Sequence, residues 1–406
     1  MCPAPHRDPA AGAPAAPLAP VVVALRDDPG LQGVLGRPSE SLVVPEVARA
    51  AALATLADLS RRRPLVVAVP GAQDADRLAG DLAAFLPPAT VELFPAWETL
   101  PFERVSPSVE TMGRRLRVLW RLRTGDPSLG VVVVPARALV QRLGPHVEEV
   151  EPVVVRPGDR VDLHELVERL VLGGYRREYQ VEHRGEVAVR GSIVDVFPST
   201  ADAPVRIDLW GDEVDRLAEF SVADQRTTDD VDEVAVFPAR ELLPTDEVRE
   251  RAERLLATAP WGREQWQRLA DGEVVEGMEA WLPWLVARPD RDPGAAEHAV
   301  VDLVPDDGQI VLVDPRRLRD RTLDILAEEV DLAASLSRTW GLADAVELPR
   351  LHVDFDRVLA RTGAPARPLL SVPDTPDTPA VAASGWPPAV GGSDALLAQL
   401  RSVAAA

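Results

Sequence analysis

The sequence contains no lysine: all 44 basic residues are arginines, set against 65 acidic ones, for a formal net charge of −21. A phosphate-binding loop of the usual kind needs glycines that bring backbone amides to the phosphates and a lysine for the terminal ones, so that motif is excluded. The stretch where it would sit, SESLVVPEVARAAALATL at 39–56, lacks the glycines as well. The acidic balance argues against a tight, nonspecific grip on DNA or an anionic membrane, although a local basic patch can still act.

Cysteine is nearly absent. Cys2 alone cannot form an internal disulfide, and the six histidines, at 6, 146, 164, 183, 298 and 352, show no metal-ligand spacing, so neither a metal site nor a cofactor is expected in this chain. Long apolar runs are missing too. LVVAV at 65–69 and VVVV at 131–134 fall far below the roughly 18 residues that span a bilayer, which excludes a membrane partner. The first forty residues are rich in alanine and proline, and the prolines break any signal-peptide core. Residues 1–40 are therefore expected to form a disordered leader of a cytoplasmic protein. Neither a nucleophile elbow nor an ordered catalytic triad can be read, and no repeat at solenoid periods occurs.

What is present suggests several compact pieces, since 406 residues support two to four domains and 39 prolines imply rigid connections. From residue 43, Ala- and Leu-rich helical patterns alternate with short strands at 65–69, 91–95 and 131–134, the first and last fully apolar. That alternation predicts an α/β fold with a parallel sheet covered on both faces. The pattern changes near 151. A helix stopped by Gly173-Gly174 precedes a run of strands without helices, YQVEHRGEVAVRGSIVDVFP, VRIDLW and VDRLAEFSV, which predicts an inserted α+β domain over 151–238. Thr245 is suited to cap a helix beginning at Asp246, four tryptophans follow at 261, 266, 281 and 284, and QIVLVD at 309–314 reads as another buried strand. The first domain is expected at 41–150 and again at 239–360. Residues 361–406 are expected to hold a linker and the start of an unfinished element, LLAQLRSVAAA.

Two segments carry charge against the acidic background. Between 104 and 123 six arginines face one acid, Glu110, and between 169 and 190 five arginines face three glutamates. For the first, the alternatives are a solvated helix face and contact with DNA or another domain through Arg114, Arg115, Arg117 and Arg121. For the second they are a salt-bridged sheet surface and a docking face on which arginine supplies forked contacts and an aromatic supplies the bulk. Alternation directs Val187 and Val189 to one side and Glu186, Ala188 and Arg190 to the other, with Gly191 expected at a bulge and Arg184-Gly185 at a turn. Trp97 and Phe102, in a proline-punctuated loop, read as a lid packed on the sheet.

FPAWETLPFERVSP followed by GRRLRVLWRL, and EHRGEVAVRGSIVDVFP followed by VRIDLWGDEVD and DQRT, resemble the amino-terminal part of the bacterial transcription-repair coupling factors over roughly residues 40–360. The resemblance implies a module similar to the excision-repair protein UvrB, with a degenerate phosphate-loop fold and an inserted domain that recruits UvrA. It also implies a noncatalytic adaptor, since the ATP- and Mg-dependent translocase and the RNA polymerase- and DNA-engaging parts of that family lie downstream; the chain is then a truncated product or a fragment. WETLPFERVSP lacks the tyrosine-rich hairpin with which UvrB clamps DNA, so direct damage verification is not expected. The positions matching the family's UvrA contact are Arg176, Arg190 and Phe197, with Arg184 and Arg206 as weaker candidates. The competing readings are an ATP-dependent DNA translocase with an unrecognised nucleotide site and a fragment whose 104–123 helix binds DNA nonspecifically.

Overall fold

The computed structural model describes residues 16–100, 102–259, 262–286, 297–339 and 348–383, with Leu397 and Arg401 alone beyond them. The first helices and strands, in chain order, are α1 (Ala19–Ala24), α2 (Pro29–Val34), β1 (Leu42–Val43), α3 (Arg49–Leu59), β2 (Leu65–Val69), α4 (Ala72–Ala83), β3 (Val91–Leu93), α5 (Val109–Thr124), β4 (Val131–Pro135) and α6 (Ala136–Leu139). The sheet is completed from the far end of the chain by β13 (Gln309–Val313) and β14 (Ala366–Leu370), in the order β1-β14-β13-β2-β4-β3, with every pairing parallel. Alternate residues of β2, β4 and β13 point to opposite faces, and both faces are covered. Leu65, Val67, Val131, Val133 and Val311 pack against α1 to α4. Val66, Ala68, Val132, Ile310 and Leu312 pack against α5, α6, α11 (Pro315–Thr339) and α12 (Phe355–Arg361). Continuous apolar strands are what two-sided burial requires.

Two expectations at the ends are corrected. Residues 16–40 are folded: Val22, Leu31 and Val34 are buried, Pro29 starts α2, and Asp28 accepts the Leu31 N–H at 3.0 Å as its cap. Pro20 and Pro29 serve as first-turn residues, where a missing N–H costs nothing, and residues 1–15 of the expected leader lie outside the described residues. Residues 361–383 are not a linker. β14 lies inside the sheet between β1 and β13, and Val381 continues along β1, donating its N–H to the Val43 carbonyl at 2.9 Å. A Cβ on Gly30 would stand 2.2 Å from the Ala380 carbonyl oxygen, so glycine permits this approach. Within β14, buried Arg367 donates to the carbonyls of Val34, Arg37 and Glu40 at 3.0, 2.8 and 2.6 Å, tying the strand to the end of α2 and the turns that follow it. The expected element at 396–406 falls outside the described residues, Leu397 and Arg401 excepted.

The inserted domain comprises β5 (Val153–Val155), α7 (Leu163–Leu172), β6 (Arg176–Arg177), β7 (Glu186–Arg190), β8 (Ile193–Val196), β9 (Val205–Trp210), β10 (Glu213–Phe220), β11 (Thr227–Asp230) and β12 (Val234–Val236). β5 and β12 pair antiparallel where the chain leaves and returns, and the other strands form one sheet, β11-β10-β9-β8-β7-β6. Asp162 caps α7 by accepting from His164 and Glu165, and Leu166, Val167 and Leu170 pack on the inner sheet face. Tyr175 fastens the two crossings together: its hydroxyl donates to the Phe237 carbonyl at 2.8 Å and accepts from the Ser199 N–H at 2.9 Å.

After the insertion, α8 (Asp246–Thr258, capped by Thr245), α9 (Arg263–Ala270) and α10 (Leu282–Val286) do not rejoin the sheet directly. They form a separate aromatic core in which Trp266, Trp281 and Trp284 pack together with Trp97 and Phe102, the Phe102 ring 5.3 Å from Trp284. Trp261 lies outside the described residues. The joint between all three parts is ionic. Arg115, on α5 and fully buried, donates to Glu241 through Nε at 2.7 Å and a terminal nitrogen at 3.0 Å, and to the Pro95 carbonyl at 2.9 Å. The Trp97 indole N–H also donates to Glu241, at 2.8 Å. Removing one member leaves the other charge buried without its counterpart, which costs about 3–5 kcal/mol in general. Arg115→Met is expected to destabilise the fold by that amount in urea unfolding, and Arg115→Met/Glu241→Leu to recover much of the loss.

A second ionic cluster closes the back of the sheet. His298 lies 3.4 Å from both Glu148 and Asp302, and Arg361 reaches Asp302 at 3.1 Å. Burial alone would lower the His298 pKa, but its bonds to Asp302 and Glu148 outweigh it and raise the value to about 9. A raised folded pKa means that this stabilisation is fully present below the unfolded value of about 6.5 and is lost as pH rises through 9. The urea midpoint should therefore fall between pH 6.5 and 9.5 in the wild type, and His298→Gln should flatten that fall.

Candidate functional site

The inner face of the inserted sheet is the domain's own core, so its outer face is the surface that can meet a partner. Register places Ala188, Asp195, Arg206 and Ala218 in one row across β7, β8, β9 and β10, and Arg190, Ile193, Asp208 and Arg216 in the next. Asp195 organises the first row from a buried position. Arg206 grips it with Nε at 2.7 Å and a terminal nitrogen at 2.9 Å, while Arg190 donates to the same carboxylate from the neighbouring strand. Arg206 also lies over the Phe220 ring, 4.8 Å from its centre. Its hydrogen bonds to Asp195 hold its pKa above the ordinary range despite burial. Forked arginine–carboxylate pairs of this kind fix geometry as well as charge.

Glu186 does the same at the sheet edge. It accepts from the Glu182 and His183 N–H groups at 2.8 Å each and from Arg176 at 3.2 Å. Burial pushes its carboxyl pKa up, but those backbone bonds, with His183 and Arg176, more than offset the effect and hold it below the usual range. The expectation that Glu186 dresses an open surface is thus corrected: it is a buried acceptor that orders the 182–183 turn.

The five residues assigned to the UvrA contact separate into two groups. Arg176, on β6 opposite Glu186, and Arg190, at the far end of β7, have exposed or half-exposed side chains on the outer face, offset by about 13 Å along the strand direction. Arg206 is largely covered, and Arg184 is tied down by the Ala201 carbonyl at 2.8 Å, by Asp202 at 2.9 Å and by Glu110 of α5 at 3.5 Å. Phe197 is a correction. It is only 7% exposed and packs with Val181, Ala188 and Phe220, with the Arg184 guanidinium 5.3 Å from its ring centre. A second small core, beneath the 178–183 segment, is what draws this phenylalanine inward. Gly191 is corrected likewise: with φ of 64° it is the first residue of a two-residue hairpin turn between Arg190 and Ile193, not a bulge.

The exposed aromatics are residues that the sequence reading passed over. Trp210 is 83% exposed and Tyr179 89% exposed. Trp210 ends β9 next to the Gly191-Ser192 turn, the Leu209 N–H donating to the Ser192 carbonyl at 3.0 Å. From strand geometry it stands about 12 Å from Arg190. The alternation of VRIDLW already carried the signal, because Leu209 facing inward sends Trp210 outward.

The basic helix α5 is not a free cationic face. Arg115 and Arg121 are buried, which sets aside the solvated-face and DNA alternatives for these two: Arg115 makes the contact with another part of the chain, at Glu241, and Glu92 and Asp126 bind Arg121 at 2.8 and 2.6 Å. Arg117 joins Glu92 at 2.8 Å, and Arg114 pairs with Glu110 one turn away at 2.6 Å. A further cleft, of about 190 Å³, opens at the carboxyl ends of β2, β13 and β14. Its lining holds Glu46, Asp74, Asp81 and Asp314 against Arg49, Arg77 and Arg317. Arg49 bonds Asp314 at 3.3 Å and Ser371 at 3.2 Å, and the Ser371 hydroxyl donates to Asp314 at 2.8 Å.

Comparison with known proteins agrees with this layout. Residues 153–242 match the UvrB interaction domain family. A transcription-repair-coupling factor of Mycobacterium tuberculosis is 35% identical over 367 residues, covering 82% of this chain and 28% of that protein. That of Escherichia coli is 35% identical over 191 residues, or 46% of this chain and 16% of its own length, and that of Bacillus subtilis 26% identical over 330 residues, or 76% and 26%. The matched parts thus span between 16% and 28% of the length of these relatives.

Proposed function

On the premise that this chain is a homologue of the transcription-repair-coupling factors and carries a UvrB interaction domain, we propose that it acts as a docking adaptor that recruits UvrA to damaged DNA where RNA polymerase has stalled. The observation that carries the reading is the outer face of the inserted sheet, where Arg190 and Arg176 are held by buried carboxylates beside the exposed Trp210 and Tyr179. Aromatic and arginine side chains on a preorganised surface are the residues that dominate protein–protein binding energy. Arg184, Arg206 and Phe197 act behind this face by fixing the strands that present it.

The adaptor itself works without a nucleotide in this reading. What supports this is the cleft of about 190 Å³ at the strand ends, where four carboxylates face three arginines, Arg49 is already bonded to Asp314, and no lysine is offered to a terminal phosphate. ATP, magnesium, RNA polymerase and double-stranded DNA are assigned to other regions of the longer relatives. Among the described residues no helix is long and apolar enough to cross a membrane.

Binding to immobilised UvrA tests the proposal. Trp210→Ala, at an exposed position that leaves the fold undisturbed, and Arg190→Glu are each expected to weaken binding tenfold or more, about 1.4 kcal/mol. Arg114→Glu, on α5, should bind like the wild type. Equal affinity of the wild type, Trp210→Ala and Arg190→Glu would remove this face from the interaction, and ATP turnover by the 406-residue chain would overturn the noncatalytic reading.

A further inference from the structure

A cleft of about 520 Å³ lies away from the inserted domain, between the segment after α6, the 348–354 segment and α12. Its charged lining is Arg142, Arg350, Arg357, His352, Glu297 and Asp354. The two acids are engaged: Glu297 pairs with Arg357, and Asp354 caps α12 by accepting the Asp356 and Arg357 N–H groups at 3.0 and 3.2 Å. Two of the basic groups are not. The half-buried Arg142 guanidinium forms no ion pair among the described residues, and its Nε is buried without a hydrogen-bond partner. His352 is 2% exposed, its Nδ1 lies 2.9 Å from Glu329, and its Nε2 is buried without a partner.

Leaving such groups unsatisfied is costly in a folded protein. Arg142 bears part of that cost: burial lowers its pKa, and although Glu297 and Glu329 oppose the shift, Arg357 and Arg350 add to it. The two open groups need complementary partners: Arg142 needs an acceptor, and His352, whose Nδ1 donates to the Glu329 carboxylate, presents Nε2 of its neutral ring as an acceptor. A phosphate carrying one proton satisfies both, its oxygens accepting from Arg142 and its P–OH donating to Nε2.

We propose that this cleft is a binding site for a phosphate group. A singly protonated phosphate accepts in several directions and donates in one, which suits two open groups brought from separate segments, and a guanidinium matches phosphate in paired hydrogen bonds. The volume exceeds what inorganic phosphate fills, and Leu326, Leu348, Pro349 and Val353 supply an apolar wall beside the charged groups. A small phosphomonoester therefore fits, its phosphate on Arg142 and His352 and its organic part on that wall. The site is separate from the cleft at the carboxyl ends of β2, β13 and β14, whose carboxylates repel anions.

The test is calorimetric titration of the whole chain with inorganic phosphate, AMP and adenosine in chloride buffer, followed in parallel by the nitrogen shifts of His352. Saturable phosphate binding with a dissociation constant on the order of 1 mM is expected, with a shift at His352 Nε2 and at least tenfold weakening in Arg142→Gln. Arg142→Lys should retain part of the affinity, which separates loss of the cation from loss of the fold. AMP binding tighter than phosphate identifies a phosphomonoester as the ligand, and binding of phosphate alone identifies the free anion. Absence of saturable phosphate and AMP binding by the folded wild type, adenosine binding as tightly as AMP, or unchanged affinity in Arg142→Gln would each overturn the proposal.

Discussion

The buried pair of Arg115 and Glu241 is the constraint on which the arrangement of the chain depends. Arg115 belongs to the helix that backs the parallel sheet, while Glu241 belongs to the segment by which the chain returns from the inserted domain. The Trp97 indole and the Pro95 carbonyl complete the ring of bonds, so the loop after β3 is held at the same point. A fully buried charge pair confers little net stability, because desolvation offsets most of the attraction. Its value lies in specificity: no other placement of the return segment satisfies a guanidinium and a carboxylate sealed from water. Arg240 adds a second tie beside it, reaching Glu276 at 2.9 Å and Glu279 at 3.2 Å in the aromatic core.

From that joint the inserted domain is held firmly. Gly113 of α5 lies so close to Ser199 that an added Cβ would stand 2.4 Å from its hydroxyl, and Tyr175 ties the same segment to Phe237. The outer sheet face is thereby presented on a rigid support. Its arginines are oriented by Asp195 and Glu186 before any partner arrives, which reduces the entropy that binding must overcome. Electrostatics in this acidic chain is thus mostly internal. Acids positioned behind the sheet and behind α5 convert several arginines into fixed elements, and the proposed docking surface is where two of them, Arg190 and Arg176, stay partly outward.

Much of the fold was legible because its strands are extreme. LVVAV, VVVV and QIVLV have no polar face, and only a parallel sheet covered on both sides accepts such strands. The cap at Thr245 was legible for a similarly local reason. β14 was not, since ARPLL contains an arginine and a proline, and only the carbonyls at the end of α2 explain why Arg367 can lie inside a sheet. β1 is two residues long and leaves no periodicity to read. At the candidate site, alternation correctly directed Arg190 outward but could not foresee the second small core that buries Phe197 on the same side. Arginine burial on α5 was equally invisible, because its acidic partners, Glu92 and Glu241, lie far away in sequence.

The account's central claim is that the outer face of the inserted sheet is where this chain meets UvrA. Hydrogen exchange of the 406-residue chain, measured with and without UvrA, tests it most directly. The account predicts new protection over residues 176–193 and 205–213, with exchange in β2, β4 and β13 unchanged. Protection confined to α5 or to the parallel-sheet domain, with none in the inserted sheet, would contradict it.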